Sequence, residues 1–216
     1  MKSKFIAGAL AGAFMLLVVV PFASAATILD TTNGAFSNPS SGSSVANTNF
    51  FRQAVAVPFT IGSAATITDV VAYIGLDTFL DLGGASVDIG IMADASSVPS
   101  GTFLFHQVAP LSTSNPVTLS SLTWSIGSGS YWLAAFATLN SYGIWDLDEA
   151  NIQPFATFAN TWTPHTQDGV PQARVLGDFA DTVTPLPGTL PLFAGGLSAL
   201  GLIGWRRKRK SAALAA

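Results

Sequence analysis

The stretch Ser86-Val87-Asp88-Ile89-Gly90-Ile91-Met92 has the clearest strand pattern in this sequence. In an extended chain Val87, Ile89 and Ile91 share one face, whereas the smaller or polar residues between them share the other. An alternation with period two predicts a β-strand with one buried face. This strand sets the fold class, because the segments on both sides follow the same rule.

Nine further segments have the β-branched, aromatic or alternating composition of strands, and turn residues separate them. They are residues 27–29, 51–59, 66–74, 102–107, 119–126, 130–136, 142–147, 155–162 and 173–179. No window of the body keeps apolar residues at helical spacing over three turns. The sequence therefore predicts one all-β domain over residues 26–182, built as a β-sandwich or jelly roll.

The segments between these strands contain glycine, serine, asparagine and proline. Residues 33–49 are rich in such residues and predict a long surface loop. Residues 94–101 predict a turn. The short glycine turn Gly127-Ser128-Gly129 predicts a hairpin that joins 119–126 to 130–136. Pro58 indicates a strand end or a sheet edge, since proline cannot donate to a ladder.

Charge is distributed unevenly along the chain. The body contains two basic residues, Arg52 and Arg174, and all twelve acidic residues of the chain, which gives 2 − 12 = −10, although the whole chain has a net charge of −3. Nucleic-acid binding depends on clustered Lys and Arg that neutralise phosphates. The body lacks such clusters, so nucleic acid is excluded as a partner.

The chain contains no cysteine. Thiol catalysis, zinc–thiolate sites and iron–sulfur clusters are therefore excluded. Disulfides are excluded too, so a domain of this length must obtain its stability from its hydrophobic core.

The N-terminal end has the organisation of a secretory signal peptide over residues 1–25. Lys2 and Lys4 precede an apolar run over 5–20, and Ala23-Ser24-Ala25 forms a small-x-small cleavage site before Ala26. The alternative is a retained N-terminal anchor helix. Either interpretation places the body outside the cytoplasm.

The C-terminal end, residues 183–216, contains three features in order. Pro185-Leu186-Pro187-Gly188 interrupts the chain, residues 189–205 carry no charge, and Arg206-Arg207-Lys208-Arg209-Lys210 follows. The segment 190–205 would span about 24 Å as a helix, which is short for a bilayer core of about 30 Å. The sequence predicts a short transmembrane helix over 189–205, with the basic run as a cytoplasmic stop.

This tail resembles the PEP-CTERM sorting tail of Gram-negative bacteria. The likeness rests on Pro185, Leu186 and Pro187, the short apolar span and the basic run, with Leu186 in the position of the family's glutamate. It implies processing by an exosortase, a membrane-embedded enzyme, in organisms that often make exopolysaccharide. The protein would be anchored in the inner membrane and then pass to the cell surface or extracellular matrix.

The sequence carries two further likenesses. Leu186-Pro187-Gly188-Thr189-Leu190 differs by one residue from the Leu-Pro-x-Thr-Gly signal of Gram-positive sortases, with leucine in place of the glycine after the cut. The body resembles the β-sandwich domains that PEP-CTERM proteins often carry, through Val98-Pro99-Ser100-Gly101-Thr102 and Gly129-Ser130-Tyr131-Trp132-Leu133. No activity follows from this likeness.

Catalytic and metal sites have few candidates. The chain has two histidines, His106 and His165, and no Gly-x-Ser-x-Gly turn, so we expect both histidines to be structural. The group Asp146, Asp148 and Glu149 has three interpretations: a solvated acidic turn, a calcium site, or a catalytic acid pair. Asp77 and Asp81 form a second acidic loop with the same alternatives. Calcium is thus the one cofactor candidate.

Aromatic residues supply the last candidate site. Tyr131, Trp132 and Trp145 could stack on sugar rings at the surface of a sandwich, although most aromatic residues should fill the core. Adjacent Tyr131 and Trp132 must point to opposite faces of their strand. One of them should therefore face the core and the other the outer surface.

We expect an exported, non-enzymatic protein with a structural or adhesive role in association with exopolysaccharide. A cell-surface carbohydrate-binding module is the first alternative. A secreted glycan hydrolase that uses Asp146, Asp148 or Glu149 is the second.

Overall fold

The computed structural model describes residues 25–32, 42–76, 85–113 and 116–180. All regular secondary structure in these ranges is β-strand, which confirms the all-β prediction. The fifteen strands are β1 (Ala26–Asp30), β2 (Gly42–Asn47), β3 (Arg52–Ile61), β4 (Ala65–Ala72), β5 (Ile74–Leu76), β6 (Ser86–Asp94), β7 (Pro99–Pro110), β8 (Val117–Leu119), β9 (Trp124–Ile126), β10 (Gly129–Ala137), β11 (Ser141–Ile152), β12 (Phe155–Phe158), β13 (Trp162–His165), β14 (Gly169–Pro171) and β15 (Ala173–Phe179).

The strands form two sheets that curl over one core, in a sandwich-like arrangement. The smaller sheet has five strands in the order β1-β15-β4-β8, and β9 also pairs with β4. The larger sheet has ten, in the order β14-β11-β2-β3-β10-β6-β7, with β12 and β13 extending from β3 and β5 pairing with β11. All the pairings are antiparallel.

The core lies between the sheets and draws on both. Val87, Ile89 and Ile91 of β6 are fully buried in it, as their alternation predicts. Ile67 of β4 and Val175 of β15 belong to the same cluster from the smaller sheet. Apolar area removed from water contributes about 25 cal/mol per Å², so this cluster is the main source of stability in a chain without disulfides.

Polar contacts fasten strand β1 to its neighbour β15. The buried Thr31 hydroxyl donates to the Pro171 carbonyl at 2.7 Å and accepts from the Ala173 amide at 2.7 Å. Arg174 Nε lies 3.1 Å from a carboxylate oxygen of Asp30. Partial burial acts to raise the pKa of Asp30, but hydrogen bonds from Thr32 and the nearby Arg174 guanidinium outweigh it and lower this pKa. These contacts fix the beginning of the body to its last strand.

Two local predictions are wrong. The segment predicted as a surface loop over 33–49 contains β2, which pairs with β11 and with β3. The predicted hairpin around Gly127-Ser128-Gly129 does not form either, because β9 pairs with β4 while β10 pairs with β3 and β6. At these glycines the chain crosses from the smaller sheet to the larger one.

The turn predicted over 94–101 is shorter than expected, since β7 already begins at Pro99. Ser96 and Ser97 adopt positive φ angles of 59° and 70° and form the tip between β6 and β7. Two successive residues of positive φ match the right-handed twist of a hairpin. Asp94 accepts a hydrogen bond from the Ser97 amide at 3.1 Å and fixes this tip.

Several predictions lie outside the described residues. They are residues 1–24 of the signal peptide, with Ala23, the sorting motif Pro185, Leu186 and Pro187, the span 189–205, the basic run from Arg206 to Lys210, and the acidic loop of Asp77 and Asp81. Within the described ranges, no helix combines the length and apolar character needed to cross a bilayer.

Candidate functional site

The outer face of the larger sheet, which points away from the core between the sheets, is unusually apolar. Its floor consists of the small residues Ala56, Ala134 and Ala156, each 0 % exposed, together with Met92. Small side chains on a sheet surface are buried only if larger neighbours lean over them. Here the larger neighbours are Trp132 and the partly buried Phe103, Phe136 and Trp162.

Phe136 lies at the centre of this aromatic cover. Its ring centroid is 5.5 Å from Phe103, 6.0 Å from Phe158 and 5.8 Å from Trp162, with the Phe103 and Trp162 contacts edge to face. These distances and angles are those that aromatic pairs prefer. We call this group (Phe103, Phe136, Phe158 and Trp162) the aromatic cover. It joins strands β7, β10, β12 and β13 into one surface.

The ring N–H groups of Trp132 and Trp162 differ in their hydrogen bonding. Trp132 Nε1 donates to the Asp94 carboxylate at 2.7 Å, so a charged acceptor holds it. Trp162 Nε1 is buried, and no acceptor lies within hydrogen-bond distance of it in the described part of the chain. A buried donor without an acceptor costs about 1–3 kcal/mol, so the packing of Trp162 on Phe136 and Phe158 must offset this cost.

A cavity of about 300 Å³ opens at one end of the aromatic cover. Phe136 and Phe158 form its apolar walls. Its polar lining comes from four side chains, Asn47, Arg52, Gln53 and Asn160. Pockets that bind small molecules are mainly apolar, with a few polar groups that fix orientation. We call this opening the Arg52 cavity.

A second cavity, of about 270 Å³, opens at the other end of β10 and contains two of the predicted glycan contacts. Tyr131 and Trp132 both line it, along with Pro58 and Asp94. Tyr131 packs on the core between the sheets, with its ring 5.8 Å from that of Phe59, whereas Trp132 packs on the outer face. The predicted division of the pair between two faces is confirmed.

The two residues differ in what they can offer a ligand. Trp132 is only 3 % exposed, so its ring is covered. Tyr131 is partly exposed, and its hydroxyl donates to the Gly127 carbonyl at 3.1 Å. Tyr131 is therefore the better of the two for stacking on a ring.

Trp145 has a different role from the predicted glycan contact. It is 0 % exposed in the core, and its Nε1 donates to the Gln172 carbonyl at 2.9 Å. A sugar ring cannot reach it. The prediction is corrected: Trp145 holds β11 against the chain that leads into β15.

The acidic group Asp146, Asp148 and Glu149 lies within strand β11 and not in a turn, so that part of the prediction is wrong. Asp148 caps the Ala150 amide at 3.0 Å, and Glu149 is exposed. No set of three or more ligating side chains comes together for a metal among the described residues. Calcium binding at these residues stays a prediction.

Asp146 is half-buried, and burial raises its pKa to about 6. The folded state therefore holds a proton more tightly than the unfolded state does, and stability should fall as pH rises from about 4 to about 6. We expect Asp146→Asn to raise the melting temperature at pH 8 and to lose this advantage at pH 4. Thermal melts across this range test the expectation. The exposed Asp178→Asn serves as a control, and an equal gain from that variant would contradict it.

Both histidines have partners that hold strands together. His106 Nδ1 lies 2.9 Å from Asp88 across the β6–β7 pair, and the His106 ring stacks on Phe103 at 5.1 Å. His165 Nε2 lies 2.9 Å from the Thr157 hydroxyl, and its Nδ1 lies 3.2 Å from Asp168.

The Thr157–His165–Asp168 chain has the connectivity of a hydroxyl–imidazole–carboxylate relay, which the sequence did not predict. Catalysis would also need a substrate cavity and oxyanion donors beside the hydroxyl. Neither Thr157 nor His165 lines the Arg52 cavity or the second cavity, beside Tyr131 and Trp132. His165 instead stacks on Phe155 at 4.7 Å. This hydrogen-bonded group therefore connects the β12–β13 hairpin to the core.

No protein-family model matches the chain, and a comparison with curated proteins likewise gives no match.

Proposed function

We propose that this chain is an exported, non-enzymatic protein of the cell envelope or extracellular matrix, with a structural or adhesive role beside exopolysaccharide. The observation that carries the proposal is the order of features in its tail: Pro185-Leu186-Pro187, an uncharged span over 189–205, and five successive basic residues. An exosortase-type enzyme in the inner membrane would read this tail. The leader over residues 1–25 would start the export.

The body supports an extracytoplasmic role. It is an all-β sandwich-like fold without cysteine, so its stability does not depend on the redox state of its compartment. In the proposed organisation residues 26–182 form a single sandwich or jelly-roll domain.

Deletion of residues 183–216 tests the sorting proposal. We expect the full chain to be found in membrane and cell-surface fractions, and the shortened chain to be released into the periplasm or medium. Immunodetection of the body in each fraction measures this. The replacement Leu186→Glu is a matched control that keeps the tail, and it should leave the surface fraction unchanged or increase it. If the deletion leaves the distribution of the body between the cell fractions unchanged, the sorting proposal is wrong.

Carbohydrate binding by the body is the second candidate function. The aromatic cover and the partly exposed Tyr131 at a cavity of about 270 Å³ favour it, because ring faces offer flat apolar area for a sugar. Retention of the protein on immobilised polysaccharides tests this role. If Tyr131→Ala and Phe158→Ala both leave retention unchanged, the aromatic surfaces are not the binding site.

A further inference from the structure

Arg52 differs from Arg174, the other basic residue of the acidic body, in its ion pairing. Of the two basic residues in 26–182, Arg174 is paired with Asp30, while no carboxylate lies in ion-pair range of Arg52 in the described ranges. Arg52 instead lines a cavity beside two phenylalanine rings. A guanidinium presents up to five N–H donors in a planar fork, which suits a carboxylate.

One hydrogen bond orients the exposed Arg52 guanidinium, and another joins the turns around it. Arg52 Nε donates to the Asn47 side-chain oxygen at 2.9 Å, which leaves the outer edge of the fork free of that bond. The Asn47 carbonyl accepts from the Asn140 amide at 2.8 Å, so the β2–β3 and β10–β11 turns are joined. A donor fixed before a ligand arrives loses less entropy on binding.

The β2–β3 turn, residues 48–51, is also internally fixed. The Thr48 hydroxyl accepts from the Phe50 amide at 3.3 Å and from the Phe51 amide at 3.1 Å. The turn nevertheless holds Phe50 98 % exposed, and Leu139 on the adjoining turn is 69 % exposed. Both side chains line a neighbouring cavity that shares Asn47 and Arg52 with the Arg52 cavity, so exposed apolar surface continues beyond it.

The lining of the cavity matches the parts of an acidic sugar. Phe136 and Phe158 provide apolar walls for the C–H face of a pyranose ring. The amides of Asn47, Gln53 and Asn160 offer both donors and acceptors, as hydroxyl groups require. Arg52 provides a charge-assisted partner for a carboxylate, which is about twice as strong as a neutral hydrogen bond.

We infer that the Arg52 cavity binds a carboxylate-bearing saccharide, such as a uronic acid residue within a polysaccharide chain. The inference deepens the carbohydrate-binding role proposed above and rests on it. It differs in placing the ligand in the Arg52 cavity and not beside Tyr131, and in specifying that the ligand is negatively charged. In a body of charge −10, Arg52 gives this cavity a cation that is paired with no carboxylate of the described residues, so an anionic chain finds a partner here. The cation selects for the acidic sugar over its neutral counterpart.

The test uses the full chain in detergent micelles and isothermal titration calorimetry. Tetragalacturonate is the probe, and a galactose tetrasaccharide is its neutral counterpart. We expect the acidic probe to bind at least about tenfold more tightly, as a charge-assisted pair predicts. Arg52→Gln should remove most of this difference. Arg52→Lys, which keeps the charge without the fork, should fall between the two.

The matched control is Ser120→Asp, which changes the net charge by the same −1 as Arg52→Gln. Ser120 is exposed in the segment that connects β8 and β9. Both strands belong to the smaller sheet, whereas the cavity lies on the larger sheet. This variant should bind tetragalacturonate like the native chain. An equal loss of affinity in both variants would mean that only the overall charge matters, which overturns the assignment to the cavity.

The remaining outcomes separate the two proposals. If acidic and neutral saccharides bind equally and Arg52→Gln has no effect, carbohydrate binding survives and the Arg52 inference fails. If neither saccharide binds, both fail. A tetraglutamate peptide is the third probe. If it binds as tightly as tetragalacturonate, the cavity recognises a carboxylate alone, which overturns the assignment of a saccharide ligand.

Discussion

Replacing Trp145 with alanine should lower the free energy of unfolding of the body by about 3–5 kcal/mol, the usual cost of truncating a buried tryptophan. Trp145 is the largest fully buried side chain among the described residues, and its strand pairs with β2 on one side and β5 on the other. The substitution would leave an empty space where the larger sheet packs on the core. The Nε1 bond to the Gln172 carbonyl is lost as well.

Thermal and urea unfolding of the full chain measure this loss. For a domain of this size it corresponds to a melting temperature about 10 °C lower or more. Trp145→Phe is the matched control, because it retains a ring and removes the N–H donor, so it should be less destabilising than Trp145→Ala. A change below about 1 kcal/mol in Trp145→Ala would contradict the core role and reopen the residue as a surface contact.

The substitution Gly90→Ala should also be strongly destabilising, although it adds a single methyl group. An ideal Cβ on Gly90 would lie 2.1 Å from the Phe105 carbonyl oxygen and 2.6 Å from the His106 Cβ. The first neighbour is backbone and cannot move without breaking the β6–β7 ladder. Overpacking of this kind costs about 1–3 kcal/mol, and a backbone clash belongs at the upper end.

Gly75→Ala is the matched control for this prediction. Gly75 also lies in a strand, β5, and a Cβ there would meet no atom within 4 Å. It should be neutral or stabilising by a few tenths of a kcal/mol, because alanine restricts the unfolded chain more than glycine does. Equal melting temperatures for Gly90→Ala and Gly75→Ala would show that the β6–β7 contact is looser than described.

The strands most reliably predicted are those with one face in the core. In β6 the period-two alternation over 86–92 could be read directly, because every second side chain is buried between the sheets. Strand β2 lacked that signal, since Gly42, Ser43 and Ser44 resemble loop residues. Its strand structure comes from ladder bonds with β11, and such long-range pairing leaves no local pattern.

The wrong hairpin has a similar cause. A short glycine turn indicates that the chain changes direction, but it does not fix the sheet to which the next strand belongs. Strands β9 and β10 are neighbours in sequence and pair in different sheets. Sequence-adjacent strands usually pair, and this pair is an exception.

For the candidate sites, the sequence identified residue types more reliably than their surroundings. Tyr131 and Trp132 divide between two faces as the strand period requires, but the depth of Trp145 depends on strands β2 and β5, far away in sequence. The Arg52 cavity escaped prediction for the same reason. Its lining comes from β2, β3, β10 and the β12–β13 hairpin, and no short motif unites them.

The pairing of β1 with β15 has a consequence for how the molecule is tethered. Ala26 lies opposite Gly177, so the start of β1 and the end of β15 meet at one corner of the smaller sheet. A membrane anchor at either end of the body, or at both, would therefore hold the body at this one corner. In the proposed organisation, the outer face of the larger sheet, which belongs to the opposite layer, would stay accessible to neighbouring polymers whether or not the leader and the tail are removed.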